Sequence, residues 1–443
     1  MPQTTSIKLN LALAALPMAA AAANLSRSGS FLLIFLIAAG VLVAALSTSN
    51  RLVPTWPSAA LPLSGLWIAL RPNYPDTAFD ALFFALIVGV VACAVYVSES
   101  RSSAMISLHI GVGILLTAAV ALQLVGIGAG GQQAISGNII TGGERVLFHL
   151  TGSLVSAPAL AASYLVAGPP MLRFTRRYRI LQLSLMAPAV FVLVQADRRS
   201  ALFTAVLLVF GVSFAPRLLR RLAPSLVGFA LIAPPVIGTF PKMWDSLGPF
   251  FASIVVLERE GQLDPIGGRL GIWTKSINFY YDRVDGFHQM FGFGTFGQAV
   301  SGASSTYSST RAGSFGSLAR ERLLTTPHSS VMQLLLNGGW VVVIGVVAAV
   351  VYSAWVFSRR NTAADLGGLA MIAALSAVGF SEAALSPALG SPVWWTLLLL
   401  VTIALSRESS GGQRAEIKNA ERRFGQHSHD ECAVANGIPY LRT

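Results

Sequence analysis

The 443-residue chain is 54% hydrophobic and 11% charged, whereas charged residues make up about a quarter of an ordinary soluble domain, which excludes a soluble globule. Its net charge of +12 does not point to nucleic acid, because the arginines cluster in short segments between apolar runs, where the positive-inside rule accounts for them. The apolar runs are about 15 to 27 residues long, near the roughly 20 that a helix needs to cross a bilayer, and they are continuous rather than alternating, which excludes a strand barrel. The expected fold is all-α, a polytopic helical membrane protein.

In chain order, about twelve spans are expected, near 7–25, 31–47, 52–70, 78–97, 104–126, 146–167, 180–195, 200–215, 224–240, 331–357, 366–385 and 392–406. The first is Ala-rich like a signal peptide, but only Lys8 precedes it and further spans follow, so it reads as an uncleaved helix. Pro54, Pro57 and Pro62 break the third, which is expected to be kinked or partly re-entrant because proline removes helix hydrogen bonds. Charge inside the spans is sparse. Asp80, Arg145 and Glu382 lie near ends, and His109 and His149 are the titratable groups expected deeper in, read as hydrogen-bonded packing. Proton-driven transport usually needs acids near the midplane, so their absence argues against a transporter. Cys93 lies in an apolar run and Cys432 in the tail, which implies no disulfide or metal framework.

Orientation follows from the basic segments. Arg173 to Arg179, Arg217 with Arg220 and Arg221, and Arg359 with Arg360 are separated by even numbers of spans, so all can face the cytoplasm. The tail 407–443 joins them and reads as disordered; its His427 and His429 are too few to hold a metal firmly. The opposite face then carries the turn at Asp197-Arg198-Arg199, which breaks the positive-inside rule and invites either a functional reading or simple snorkelling. It also carries residues 240–330, the one long polar interval. The chain thus divides into helices over 1–239, a large periplasmic loop over 240–330, helices over 331–406 and the tail.

The loop's charges nearly cancel, eight Lys or Arg against seven acids, so it is neither an acidic nor a basic tail. Ile272 to Tyr281 reads as a short amphipathic helix on the membrane surface. Gly267, Gly268 and Gly271 allow close backbone approach around Arg269, as at an anion site or as in an ordinary turn. His328, in Thr326-Pro-His-Ser-Ser330, precedes a span by two residues. Histidine can serve as a general base near neutral pH, and helix capping is the plainer reading. Arg199, Arg269 and His328 thus make two guanidiniums and an imidazole on one face, the groups needed to neutralise a diphosphate and deprotonate a hydroxyl.

An arginine opening a span in Ala196-Asp-Arg-Arg-Ser-Ala-Leu202, Gly-Arg-x-x-x-Trp at Gly268 to Trp273, Gly-x-Gly in Phe291-Gly-Phe-Gly-Thr-Phe-Gly297, and Pro-His-Ser-Ser before a Gly-Gly-bearing span at Pro327 to Gly339 follow in this order. The arrangement over roughly residues 180 to 357 resembles the O-antigen ligase and polysaccharide repeat-unit polymerase superfamily. The resemblance implies a bacterial inner-membrane protein with its active site facing the periplasm. It implies metal-independent, inverting glycosyl transfer without a cofactor, from an undecaprenyl-diphosphate-linked glycan to a glycan acceptor. Flippase, chain-length or export proteins are the partners it suggests. On the motif, Arg199, Arg269 and His328 take the catalytic positions, with Arg199 and Arg269 on the diphosphate. Because Ala-Asp-Arg-Arg-Ser stands where the family more often has Ser-Arg-Gly, Arg198 is an alternative to Arg199. The expected activity is a polymerase joining repeat units in exopolysaccharide or O-antigen synthesis. A ligase moving glycan onto lipid A core or a protein shares the same donor, and a lipid-linked sugar flippase is the reading from another class.

Overall fold

A computed structural model describes residues 9–47, 52–71, 77–126, 146–152, 155–174, 178–196, 198–240, 265–308, 326–388 and 390–408. The expected features at Asp197, Arg145, Cys432, His427 and His429, the first part of the loop and the tail from 409 lie outside these residues, as does the side chain of Asp80.

The described residues are mostly helical. The first half holds α1 (Leu11–Ala22), α2 (Arg27–Ser47), α3 (Ala60–Ala69), α4 (Thr77–Tyr96), α5 (Arg101–Leu124), α6 (Ser156–Phe174), α7 (Arg179–Ala196), α8 (Arg199–Phe214) and α9 (Pro216–Thr239). The loop region supplies α10 (Pro265–Arg283), α11 (Gly286–Phe291), α12 (Gly297–Val300) and α13 (Ala303–Ser308); α14 (Ser330–Arg359), α15 (Ala363–Ser381) and α16 (Pro392–Ala404) follow. Among the described residues five helices, α5, α7, α9, α14 and α15, are long and apolar enough to cross a membrane.

Large apolar side chains face outward. Phe203, Leu207 and Phe210 on α8 and Leu222, Leu226 and Phe229 on α9 are all exposed, as a lipid surround favours and water does not. Charge is withdrawn to the helix ends instead, as a hydrocarbon surround requires.

α15 is the helix around which the others pack, in contact with α6, α8, α9 and α14. Its small residues make this possible, since small side chains let helix backbones approach closely. A Cβ on Gly367 would stand 2.5 Å from Met171 of α6, and one on Gly368 would stand 2.7 Å from Phe357 of α14. His109 is buried in α5, stacked on Tyr164 at 4.1 Å with Nε2 3.0 Å from the Tyr164 carbonyl, so it packs. His149 sits instead in a short 3-10 turn before α6. The sixth apolar segment is accordingly displaced: its helix begins at Ser156, after the left-handed Gly152.

The third expected span is not one helix. Leu52–Pro54 forms a strand, a 3-10 turn follows at Trp56–Ala59, and α3 adds ten residues, about half of what a single crossing helix needs, so strand, turn and helix in series carry the chain to Arg71 beside Gly292 of the loop region. The strand pairs antiparallel with Ser406–Glu408, Val53 opposite Arg407. Nearby Arg101 donates to the carbonyls of Ile403 and Ser406, and Arg360 to that of Ala404. Arg220 donates to the Arg360 and Thr362 carbonyls. The basic segments thus gather at the end where α15 begins, while Glu382 follows its last residue. Nineteen residues at about 1.5 Å each separate the two ends by about 28 Å, close to the roughly 30 Å of hydrocarbon.

The helix α10 is longer than the expected surface helix and does not lie apart. Ile272, Trp273, Ile277 and Tyr280 are buried, and Gly238 of α9 meets the Trp273 backbone. The glycines around Arg269 are therefore residues of the helix itself.

A break in α14 explains the Gly-x-Gly sequence. Gly339 takes φ 67° and ψ −170° inside the helix, freeing carbonyls on the preceding turn. The amides of Phe293 and Gly294 donate to Leu336 and Asn337 there, at 3.0 and 2.7 Å. Such contact leaves no room for side chains: a Cβ on Gly294, whose φ is +86°, would come within 2.0 Å of the Arg71 carbonyl. Gly294→Ala is expected to destabilise the protein by roughly 2 to 5 kcal/mol, adding overpacking to the left-handed penalty. Gly302→Ala, with φ +79° and nothing within 4 Å, should carry only the backbone part. Thermal unfolding of the solubilised variants compares them, and equal losses would mean the close approach is not what selects glycine.

Candidate functional site

Three separated segments converge on one carboxylate at the end of α15. Glu382 has its side chain 3% exposed. Its Oε1 accepts from Arg198 Nη1 at 3.2 Å and from Arg269 Nη2 at 2.9 Å, and its Oε2 lies 3.3 Å from His328 Nδ1. Burial alone raises a carboxyl pKa, but the His328 hydrogen bond and the two guanidiniums outweigh it and hold Glu382 well below the usual carboxylate range.

Each partner is placed by its own element. Arg198 is the N-cap residue of α8, with a side chain 18% exposed and an Nε that is buried without a hydrogen-bond partner. Arg269 and Trp273 stand one turn apart on α10, on one helix face. Arg269 reaches Glu382, while Trp273 Nε1 donates to the His328 carbonyl at 3.4 Å and its ring packs edge-on against Phe380. That spacing is the physical content of Gly-Arg-x-x-x-Trp. Ser330, the first residue of α14, ties the two far segments together: its hydroxyl donates to the Glu382 carbonyl and accepts from the Leu385 amide.

His328 has φ +49°, a conformation that costs a non-glycine residue on the order of 1 to 3 kcal/mol. Ser329 occupies the N-cap of α14, without a side-chain capping bond, so His328 does not play the capping part. When neutral, an imidazole that gives Nδ1–H to a carboxylate carries its lone pair on Nε2, the form that accepts a proton; the tautomer is assigned from this contact.

Of the sequence-derived candidates, Arg269, His328 and Arg198 are thus brought together. Arg199 is the next residue, opening α8 with a partly exposed side chain; the guanidinium on Glu382 is that of Arg198. Glu382 itself was missed, as was a second polar set beside it. There Asn337 Oδ1 accepts from the Gly297 amide and Gln333 Nε2, Gln333 also donates to Gln298, and Asn337 Nδ2 donates to Ser386. Arg71 flanks the same loop, donating to the Gly292 carbonyl, with its guanidinium 4.7 Å from the Trp67 ring centre and 4.8 Å from that of Phe287. Among the described residues no group of three or more His, Cys, Asp or Glu is arranged to hold a metal.

The fold and this cluster define a helical membrane protein with a buried anion held between two arginines and a histidine at one end. No family model matches the chain, and no curated protein or solved structure is significantly similar to it.

Proposed function

We propose that the chain is a membrane glycosyltransferase-type polymerase that joins lipid-diphosphate-linked oligosaccharide units, acting at the Glu382 cluster. One observation carries this reading: two guanidiniums and an imidazole from separate segments share one buried carboxylate at the same end of the helices. In the reaction an acceptor hydroxyl attacks the anomeric carbon, the bond from that carbon to the phosphate oxygen breaks, and the diphosphate departs with the electron pair. Arg198 and Arg269 stabilise the charge that develops on it, as planar forks suited to phosphate. His328 Nε2 takes the hydroxyl proton, and Glu382 on Nδ1 stabilises the imidazolium that results. Attack opposite the leaving group inverts the anomeric centre. In the resting state Glu382 holds the charges that the diphosphate would use. A ligase differs only in its acceptor, and the site chemistry serves both.

The test is glycan analysis in a strain lacking the protein. Loss of long chains with single units still attached supports the polymerase, loss of all attached glycan supports the ligase, and an unchanged profile removes both.

The twelve-span arrangement with this end facing the periplasm is part of the proposal. It is supported by the gathering of Arg220, Arg360 and Arg407 at the other end, which the positive-inside rule places in the cytoplasm. Reporter fusions at Gly261 and Ser410 are expected to report opposite compartments; the same compartment for both would end it.

A further inference from the structure

The end of the molecule away from Glu382 carries a feature that glycan transfer does not use. α9 and α14 run antiparallel there, fixed by the hydrogen bonds from Arg220 to the Arg360 and Thr362 carbonyls, and between them lies an open groove of about 460 Å³. α9 contributes Ser225, Gly228 and Phe229, and α14 contributes Val351, Tyr352 and Trp355. A Cβ on Gly228 would stand 3.6 Å from Val351, an ordinary contact, so a side chain longer than alanine's would project into the groove.

Both helices continue the lining faces into exposed arginines. On α9, Arg217 and Arg221 precede Ser225 and Gly228 at intervals of three to four residues, one stripe of an α-helix. On α14, Tyr352 and Trp355 lead by the same spacing to Arg359, whose guanidinium lies 5.3 Å from the Trp355 ring centre. Among the described residues no acid lines the groove. The nearest described carboxylate in sequence, Asp365, is buried and bonded to Thr362. An apolar groove on a lipid-facing surface, lined in part by two aromatics and followed along the same helix faces by three exposed arginines, matches one amphiphile: an acyl chain below an anionic headgroup.

We infer that this groove is a binding site for an anionic diacyl phospholipid of the leaflet opposite the Glu382 cluster, with an acyl chain against Gly228 and its phosphate on Arg217, Arg221 and Arg359. Juxtamembrane cations together are expected to favour an anionic over a zwitterionic headgroup on the order of a hundredfold.

The test uses the full-length protein in phosphatidylcholine nanodiscs, titrated with fluorescent phosphatidylglycerol and read by energy transfer from the native tryptophans. Wild type is expected to bind the probe with that preference over labelled phosphatidylcholine. Combined Arg217→Gln, Arg221→Gln and Arg359→Gln should abolish the preference, while Gly228→Leu should weaken both lipids by filling the slot. Arg359→Gln alone, should the combined variant fold poorly, should lower the preference severalfold. No preference in wild type, a preference unaffected by Arg359→Gln, or full binding in Gly228→Leu would each overturn the proposal. So would competition by glycerol phosphate as effective as by phosphatidylglycerol, since that would mean a headgroup patch without an acyl seat.

Discussion

Removing both Arg198 and Arg269 is expected to destabilise the protein by about 3 to 5 kcal/mol, because a buried carboxylate that loses both guanidiniums and keeps only His328 is left with a poorly compensated charge. Glu382 is almost wholly buried, whereas both arginines keep part of their surface in solvent, so the cost falls on the acid and not on the bases. The asymmetry makes a second variant decisive. Adding Glu382→Gln to Arg198→Ala and Arg269→Ala should return most of the lost stability, since the amide keeps the shape without the charge. Unfolding of the purified variants measures it, and a triple variant no more stable than the double would mean that the charges are not coupled through Glu382. The pH dependence has a fixed sign. A carboxyl held below its ordinary value stabilises the fold above the unfolded pKa, and this contribution is lost as pH falls from about 4 toward the folded value. Glu382→Gln should remove that acid-sensitive part. Activity separates the arginines' second role: Arg269→Lys retains charge but not the fork, and is expected to lower transfer on the order of a hundredfold.

His328→Asn is expected to reduce transfer by roughly a hundred- to ten-thousandfold while leaving the protein folded. Asparagine is the informative replacement because φ at this position is +49°, and asparagine tolerates the left-handed region far better than alanine. It also offers an amide to Glu382 in place of Nδ1–H. A defect in His328→Asn can therefore be assigned to the missing base and not to a displaced backbone. The assay is turnover of lipid-linked donor by purified protein at matched amounts; near-wild-type turnover would remove His328 from proton transfer and leave it as a strut for Glu382.

The arginines and the histidine were legible in the sequence because chemistry of that kind, placed on one face by the count of spans, is rare in an otherwise apolar chain. Glu382 was not. It stands 54 residues beyond His328 and reads as one more polar residue at a helix end. A signal was present, since it is one of few acids near the ends of the spans and falls on the face where Arg198 breaks the positive-inside rule. The choice between Arg198 and Arg199 was equally closed to reading by motif, because adjacent residues at a helix start point about 100° apart and only the tertiary setting selects one. The α-helical class and most helix positions followed from apolar runs. The third and sixth segments departed because hydrophobicity does not distinguish a helix from a strand or a 3-10 turn, and the prolines and Gly152 settled the local conformation instead.

The two-stranded ribbon has a consequence for biosynthesis. Leu52–Pro54 finds its partner only at Ser406–Glu408, and the neighbouring bond from Thr55 to Leu405 spans 350 residues. At about 5 to 20 residues per second a ribosome needs on the order of 20 to 70 s to make that stretch. Throughout that interval the early strand has an open edge, a state prone to wrong pairing. The short strand and its terminal proline, which cannot extend a hydrogen-bonded ladder, limit what could join it while it waits.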